Sequence, residues 1–173
     1  MKESKTTQLV ICAFFAALSA VLSQIQIPLA PVPITLTHVS IFAAAGLLGA
    51  KYGTLSQLVF VLTGAAGIPV FAGFQGGMAV VAGPTGGFII GYLACAFVTG
   101  FIIDRFGYSV KILIPAMCAG WIVTYAFGIP WFMHVTNMTL TASLIFMAGF
   151  LPGDLFKTIL SAALIKRLRP VLR

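Results

Sequence analysis

No charged side chain occurs between Lys5 and Lys51, between Lys51 and Asp104, or between Lys111 and Asp154. Few folds can accommodate such stretches. Soluble domains carry roughly 25% charged residues, whereas this 173-residue chain has 8%, with 60% hydrophobic residues and a mean hydropathy of +1.10. A membrane span needs about 20 apolar residues, so the length suits one all-α integral membrane domain, 1–173, of six spans. The formal charge of +7 argues for nucleic acid only if the positions of the charges are ignored.

Gly, Pro and charge punctuation divide the chain into spans at about 7–26, 34–50, 54–66, 84–103, 110–128 and 154–168, with a short extra helix at about 139–147. Three prolines in Pro28-Leu29-Ala30-Pro31-Val32-Pro33 stop the first helix. Pro84 suits the first turn of the fourth. The apolar start after Lys5 superficially resembles a signal peptide. It is read as a retained first span because many apolar runs follow.

If six helices alternate, Lys2, Lys5, Lys51, Arg105, Lys111, Lys166, Arg167, Arg169 and Arg173 all fall on one side. The positive-inside rule makes that side, with both termini, cytoplasmic. The three loops of the other side hold no charge. They are rich in Pro, Gly, Thr and aromatics, and the middle one, from Ile68 to Gly83, is long enough to expect a function. Uncharged irregular backbone near a membrane is tolerated where it lines a cavity or packs on protein.

Asp154 and Lys157 project into this uncharged mouth. An ionised side chain in so apolar a chain usually marks a site, and residues three apart on a helix share a face. Pro152-Gly153 before Asp154 predicts a helix start with Asp154 at or near the N-cap. Lys157 sits at the helix end that disfavours a cation. The two either form a structural ion pair or present an acceptor and a donor to a polar ligand. Gly83, Gly87 and Gly91, like Ala13/Ala17 and Ala16/Ala20, recur every four residues, a spacing that lets helices approach closely. The glycines fit packing inside the bundle; the alanines fit that or docking onto another subunit.

Cys12, Cys95 and Cys118 lie in apolar runs and read as small hydrophobes. His38 and His134 are isolated, and no metal motif is present. No phosphate-binding loop accompanies them, and no nucleophile–base arrangement, so neither an enzyme nor a cofactor is expected.

With these residues assembled, the chain resembles the BioY family, the biotin-specific S components of energy-coupling factor (ECF) transporters. The resemblance rests on six ordered blocks: Ala16-Ala17-Leu18, Pro31-Val32-Pro33-Ile34-Thr35-Leu36, Gly67-Ile68-Pro69-Val70-Phe71-Ala72, Gly83-Pro84-Thr85-Gly86-Gly87-Phe88, Gly128-Ile129-Pro130-Trp131 and Pro152-Gly153-Asp154-Leu155-Phe156-Lys157. It implies a six-helix S-component bundle in a prokaryotic cell membrane, with biotin held under the outer loops. It also implies a transmembrane coupling component and two cytoplasmic ATP-binding subunits as partners.

Asp154 and Lys157 would then be ligand contacts, with Lys157 meeting either the ureido ring or the valerate carboxylate. Phe71, Phe74, Tyr92 and Trp131 would cover the ring carbons, while Thr35, Gln75 and Thr85 would add hydrogen bonds. Ala13, Ala16, Ala17 and Ala20 would form the face that meets the coupling subunit. Where the family often has Pro-x-Thr-Leu-Gln, this chain has Thr37 after Leu36. The competing expectations are an S component for another vitamin and a proton-coupled secondary transporter with Asp154 as the proton carrier.

Overall fold

The computed structural model describes residues 5–170. Lys2 and Arg173, which entered the charge pattern, lie outside them. Seven helices appear among the described residues: α1 (Lys5–Gln24), α2 (Thr37–Ala65), α3 (Met78–Ala82), α4 (Gly86–Phe106), α5 (Val110–Thr136), α6 (Leu140–Ala148) and α7 (Leu151–Leu168). A two-stranded ribbon, β1 (Gln26–Ile27) and β2 (Ile34–Thr35), pairs antiparallel with Gln26 opposite Thr35. It closes the Pro-rich segment into a loop.

Four helices, α1, α2, α4 and α5, are long and apolar enough to cross a membrane. A fifth span results if α6 and α7, bent by 49° where they meet, are taken as one. The outer surface is apolar, with Phe14, Val21, Phe101, Ile122, Ile145 and Ile159 all exposed. That is the arrangement expected where the solvent is lipid.

The helix boundaries depart from the expected ones for physical reasons. The second and third expected spans form one element whose only non-helical residue is Gly49 (φ 77°, ψ −177°). A glycine reaches that backbone conformation without Cβ strain, so the chain turns at a single residue instead of a loop. Ile34 and Thr35 are withdrawn into β2. Helix α5 runs eight residues past its expected end, through Pro130. A helical proline removes one backbone bond, and here that is not enough to stop the helix. In α7 the helix starts at Leu151, so Asp154 is not a cap: its backbone N–H already donates to the Phe150 carbonyl at 3.0 Å. Helix α4 begins at Gly86, two residues after Pro84. The middle loop contains α3 and a tight bridge between Phe71 and Gln75.

Packing centres on α4, which lies against both α5 and α2; α1 covers α2, and α7 packs mainly on α2. Gly87 and Gly91 set the approach of α4 to α5. A methyl group on Gly87 would lie 2.6 Å from the Phe127 carbonyl oxygen, and one on Gly91 would lie 3.2 Å from Thr124 Cα. Gly83, the third of that repeat, instead precedes the helix. A buried polar cluster ties α1 to both halves of α2: Ser19 Oγ lies 3.0 Å from Ser40 Oγ and 3.1 Å from Gln57 Oε1. Polar groups at membrane depth persist where they satisfy one another in this way.

Candidate functional site

One end of the bundle is hollow. A cavity of about 610 Å³ lies among the Pro-rich loop, the 71–75 turn and the start of α4. A pocket of about 40 Å³ adjoins it, and Val32, Pro33, Thr35, Phe88 and Tyr92 line both. A space of several hundred Å³ is of ligand size; the small pocket has room for little more than one polar group or a water.

The small pocket is where the charges are. Asp154 and Lys157 line it together, 5% and 3% exposed, with Lys157 Nζ 3.2 Å from Asp154 Oδ1. The Tyr125 hydroxyl donates to the other carboxylate oxygen, Oδ2, at 2.5 Å. Lys157 Nζ also stands 5.4 Å from the Trp121 ring centroid, where the ring's negative face favours a cation. Trp121 is itself oriented by donating from Nε1 to Thr158 Oγ1 at 3.0 Å. The pair is thus held from α5 and α7. An ammonium has three N–H donors and each carboxylate oxygen two lone pairs, so neither group is saturated by these bonds.

Of the other expected residues, Phe71, Gln75, Thr35, Thr85 and Tyr92 all line the larger cavity. Thr35 is paired with Thr37, the residue at the family's glutamine position, at 2.9 Å between hydroxyls. Phe71 is buried edge-on against Phe60 and contributes to the core as well as to the wall. Phe74 and Trp131 line neither space: Phe74 is 72% exposed, and Trp131 Nε1 donates to the Gly83 carbonyl at 3.0 Å. The alanine face divides. Ala13 and Ala17 are exposed, whereas Ala16 is buried against the chain's own core with Ala20 packed beside it. Ala16 is therefore turned away from any partner.

Sequence reasoning missed three features. His38 lies flat on Trp121, with ring centroids 3.8 Å apart, and lines the small pocket. Trp121 and Tyr125 are four apart on α5, a spacing legible in the sequence, but nothing local indicates that this face meets Asp154. Third, the Gln24 side chain ties the end of α1 to the middle loop. Its Nε2 donates to the Phe71 carbonyl at 3.0 Å, and its Oε1 accepts from the Phe74 N–H at 2.8 Å. Ser23 adds a bond to the Val70 carbonyl at 2.5 Å.

An apolar exterior, several helices of spanning length and a hollow end with buried charge define a multi-pass membrane protein with an internal cavity. Residues 1–173 match the model of the BioY family, and the chain belongs to that family, a family of transporter components rather than enzymes. It is 37% identical to the "Biotin transporter BioY" of Thermotoga maritima, over 94% of this chain and 95% of that one. It is 36% identical to that of Rhizobium etli, over 92% and 91%. A "Probable biotin transporter BioY" of Lysinibacillus sphaericus is 40% identical over 100% and 92%. Its fold superposes with a TM-score of 0.89 on the crystal structure of the S-component for biotin from an ECF-type ABC transporter, at 35% identity over 98% and 94% of the two chains.

Proposed function

We propose that this protein captures biotin outside the cell as the substrate-specificity subunit of an ECF-type vitamin transporter. The observation that carries the reading is the buried Asp154–Lys157 pair beside a ligand-sized cavity. Biotin has a polar ureido ring, an apolar thioether ring and an extended acid tail. The ring would lie where the two spaces meet, with only its ureido edge turned into the charged pocket, Asp154 accepting from a ureido N–H and Lys157 donating to the ureido carbonyl. The tail would occupy the larger cavity beside Phe71, Gln75, Thr35, Thr85 and Tyr92. On this assignment Lys157 meets the ureido group rather than the tail carboxylate, because Lys157 lines only the small pocket.

Six spans are proposed by dividing α2 at Gly49, with both termini cytoplasmic in a prokaryotic cell membrane. Asp104, Arg169 and the Gly49 turn then share the cytoplasmic end. A transmembrane coupling component would dock on the exposed Ala13 and Ala17, and two ATP-binding subunits would power uptake. Ala17→Leu adds bulk there without charge. It is expected to keep biotin binding and lose co-purification with the coupling component.

Equilibrium binding of labelled biotin to the purified protein, competed with thiamine and riboflavin, tests the reading. Saturable binding displaced by biotin alone is expected. Preference for another vitamin would reassign the substrate. Uptake by this chain alone that collapses with the proton gradient would favour a secondary transporter. For orientation, cysteines placed at Gln75 and Thr136 should react with an impermeant reagent in intact cells, and one at Ser109 only after permeabilisation.

A further inference from the structure

His38 sits in the first turn of α2, 7% exposed, and its Nε2 has no hydrogen-bond partner among the described residues. Buried polar atoms are nearly always paired, and an exception needs an explanation. The ring is not misplaced: Trp121 stacks on it at 3.8 Å and Tyr92 meets it edge-on at 5.1 Å. These contacts fix the imidazole plane in the wall of the pocket that also holds Asp154 and Lys157.

The polar capacity of that pocket is lopsided. Lys157 is a donor only, and both Asp154 oxygens already accept one bond each, from Lys157 and from Tyr125. A cyclic urea presents one carbonyl flanked by two N–H groups that point to opposite sides of the ring. One carboxylate cannot accept from both. A second acceptor is needed across the pocket, and a neutral imidazole carries one bare ring nitrogen.

We propose that His38 is a ligand-contacting, specificity-determining residue whose Nε2 accepts the ureido N–H that Asp154 does not reach. The inference rests on biotin being the ligand. It turns a two-point description of the ureido group into a three-point one with every polar atom matched: Lys157 to the carbonyl, Asp154 to one N–H, His38 to the other. A ring system that lacks the second donor would leave the buried His38 Nε2 unpaired in the complex, so the bond discriminates against it.

The test compares wild-type protein with His38→Phe, which keeps an aromatic ring on Trp121 and removes the nitrogen. Biotin and its two ureido N-methyl isomers are titrated against each. Wild type should bind biotin, and His38→Phe should bind it roughly ten- to hundredfold more weakly. That penalty should vanish for the isomer methylated on the nitrogen facing His38 and persist for the other. An equal penalty for all three ligands, or none in a variant with wild-type elution and thermal unfolding, overturns the proposal. Should His38→Phe not fold, His38→Ala is titrated with the same three ligands and judged by the same pattern. Wild-type protein that does not bind biotin would instead overturn the functional reading on which the proposal stands.

Discussion

Two carboxylate–base combinations occur in the described structure, and they do opposite things. At the hollow end Asp154 and Lys157 are buried, bonded to each other, and left with unused donors and acceptors that face a pocket. At the far end Asp104, exposed on the last turn of α4, accepts from the Ala50 N–H at 2.8 Å. Arg169, after α7, donates to the Gly46 carbonyl at 2.9 Å and stacks over Tyr108. These two side chains flank the Gly49 break. The carboxylate sits at the start of the second half-helix of α2, and the guanidinium at the end of the first. Each matches the partial charge of the helix end it meets. The same residue types therefore keep polar capacity open toward a cavity at one end, and spend it on backbone groups at the other.

The strongest way to break this contrast is at the hollow end. Asp154→Asn and Lys157→Met should each remain helical and membrane-inserted while weakening biotin binding by roughly ten- to hundredfold, the effect of losing one bond to a charged group. Removing one partner of a buried pair should also lower stability, by about 3–5 kcal/mol, which thermal unfolding in detergent would register. Unchanged affinity in both variants would make the hollow-end pair as architectural as the other.

A smaller effect is expected one layer out. Gln24→Ala removes the side chain that holds the 70–74 turn to α1, so binding should weaken by about three- to tenfold, the worth of one neutral hydrogen bond. Amide hydrogen exchange in residues 71–75 should quicken in the same variant. Slower or unaltered exchange would show that the turn is held from elsewhere.

The smallest effect on the ligand belongs to the far end. Asp104→Ala should cost about 1 kcal/mol of stability, as the loss of a helix cap does, and leave biotin affinity within about twofold because the sites share no partner. Gly49→Ala sharpens the point. Its Cβ would lie 2.6 Å from Asp104 Oδ2 at a backbone φ of 77°, and a φ/ψ of 77°/−177° is a glycine-only region that adds about 1–3 kcal/mol for any other residue. If either change altered affinity as much as Asp154→Asn, the two ends would be energetically coupled and the contrast would fail.

Much of this was legible beforehand because membranes impose coarse rules. Apolar runs of spanning length, charge confined to one set of loops and an isolated Asp154-x-x-Lys157 pair are patterns in one dimension. They identified a multi-pass helical chain and the buried charges that need a reason. Helix ends were less legible. Gly49 and Pro130 carry the same local signal as many breaks, yet one stops a helix after a single residue and the other does not stop it at all. Ala16 and Ala17 are neighbours of one type, and only packing against Phe60 separates the buried residue from the exposed one.

What the sequence determined by itself was the class of solvent, the number of charges that must be explained, and the family, because composition and ordered motifs survive without coordinates. The tertiary structure alone decided which side chains share the pocket. His38, Tyr92, Trp121, Tyr125 and Asp154 come from four helices far apart in the chain, and their meeting depends on how closely glycines let α4 approach α5 and where Gly49 turns α2. The physical reason is that hydrogen bonds and ring stacking act over a few ångströms, a distance that sequence spacing sets within one helix and that only packing sets between helices.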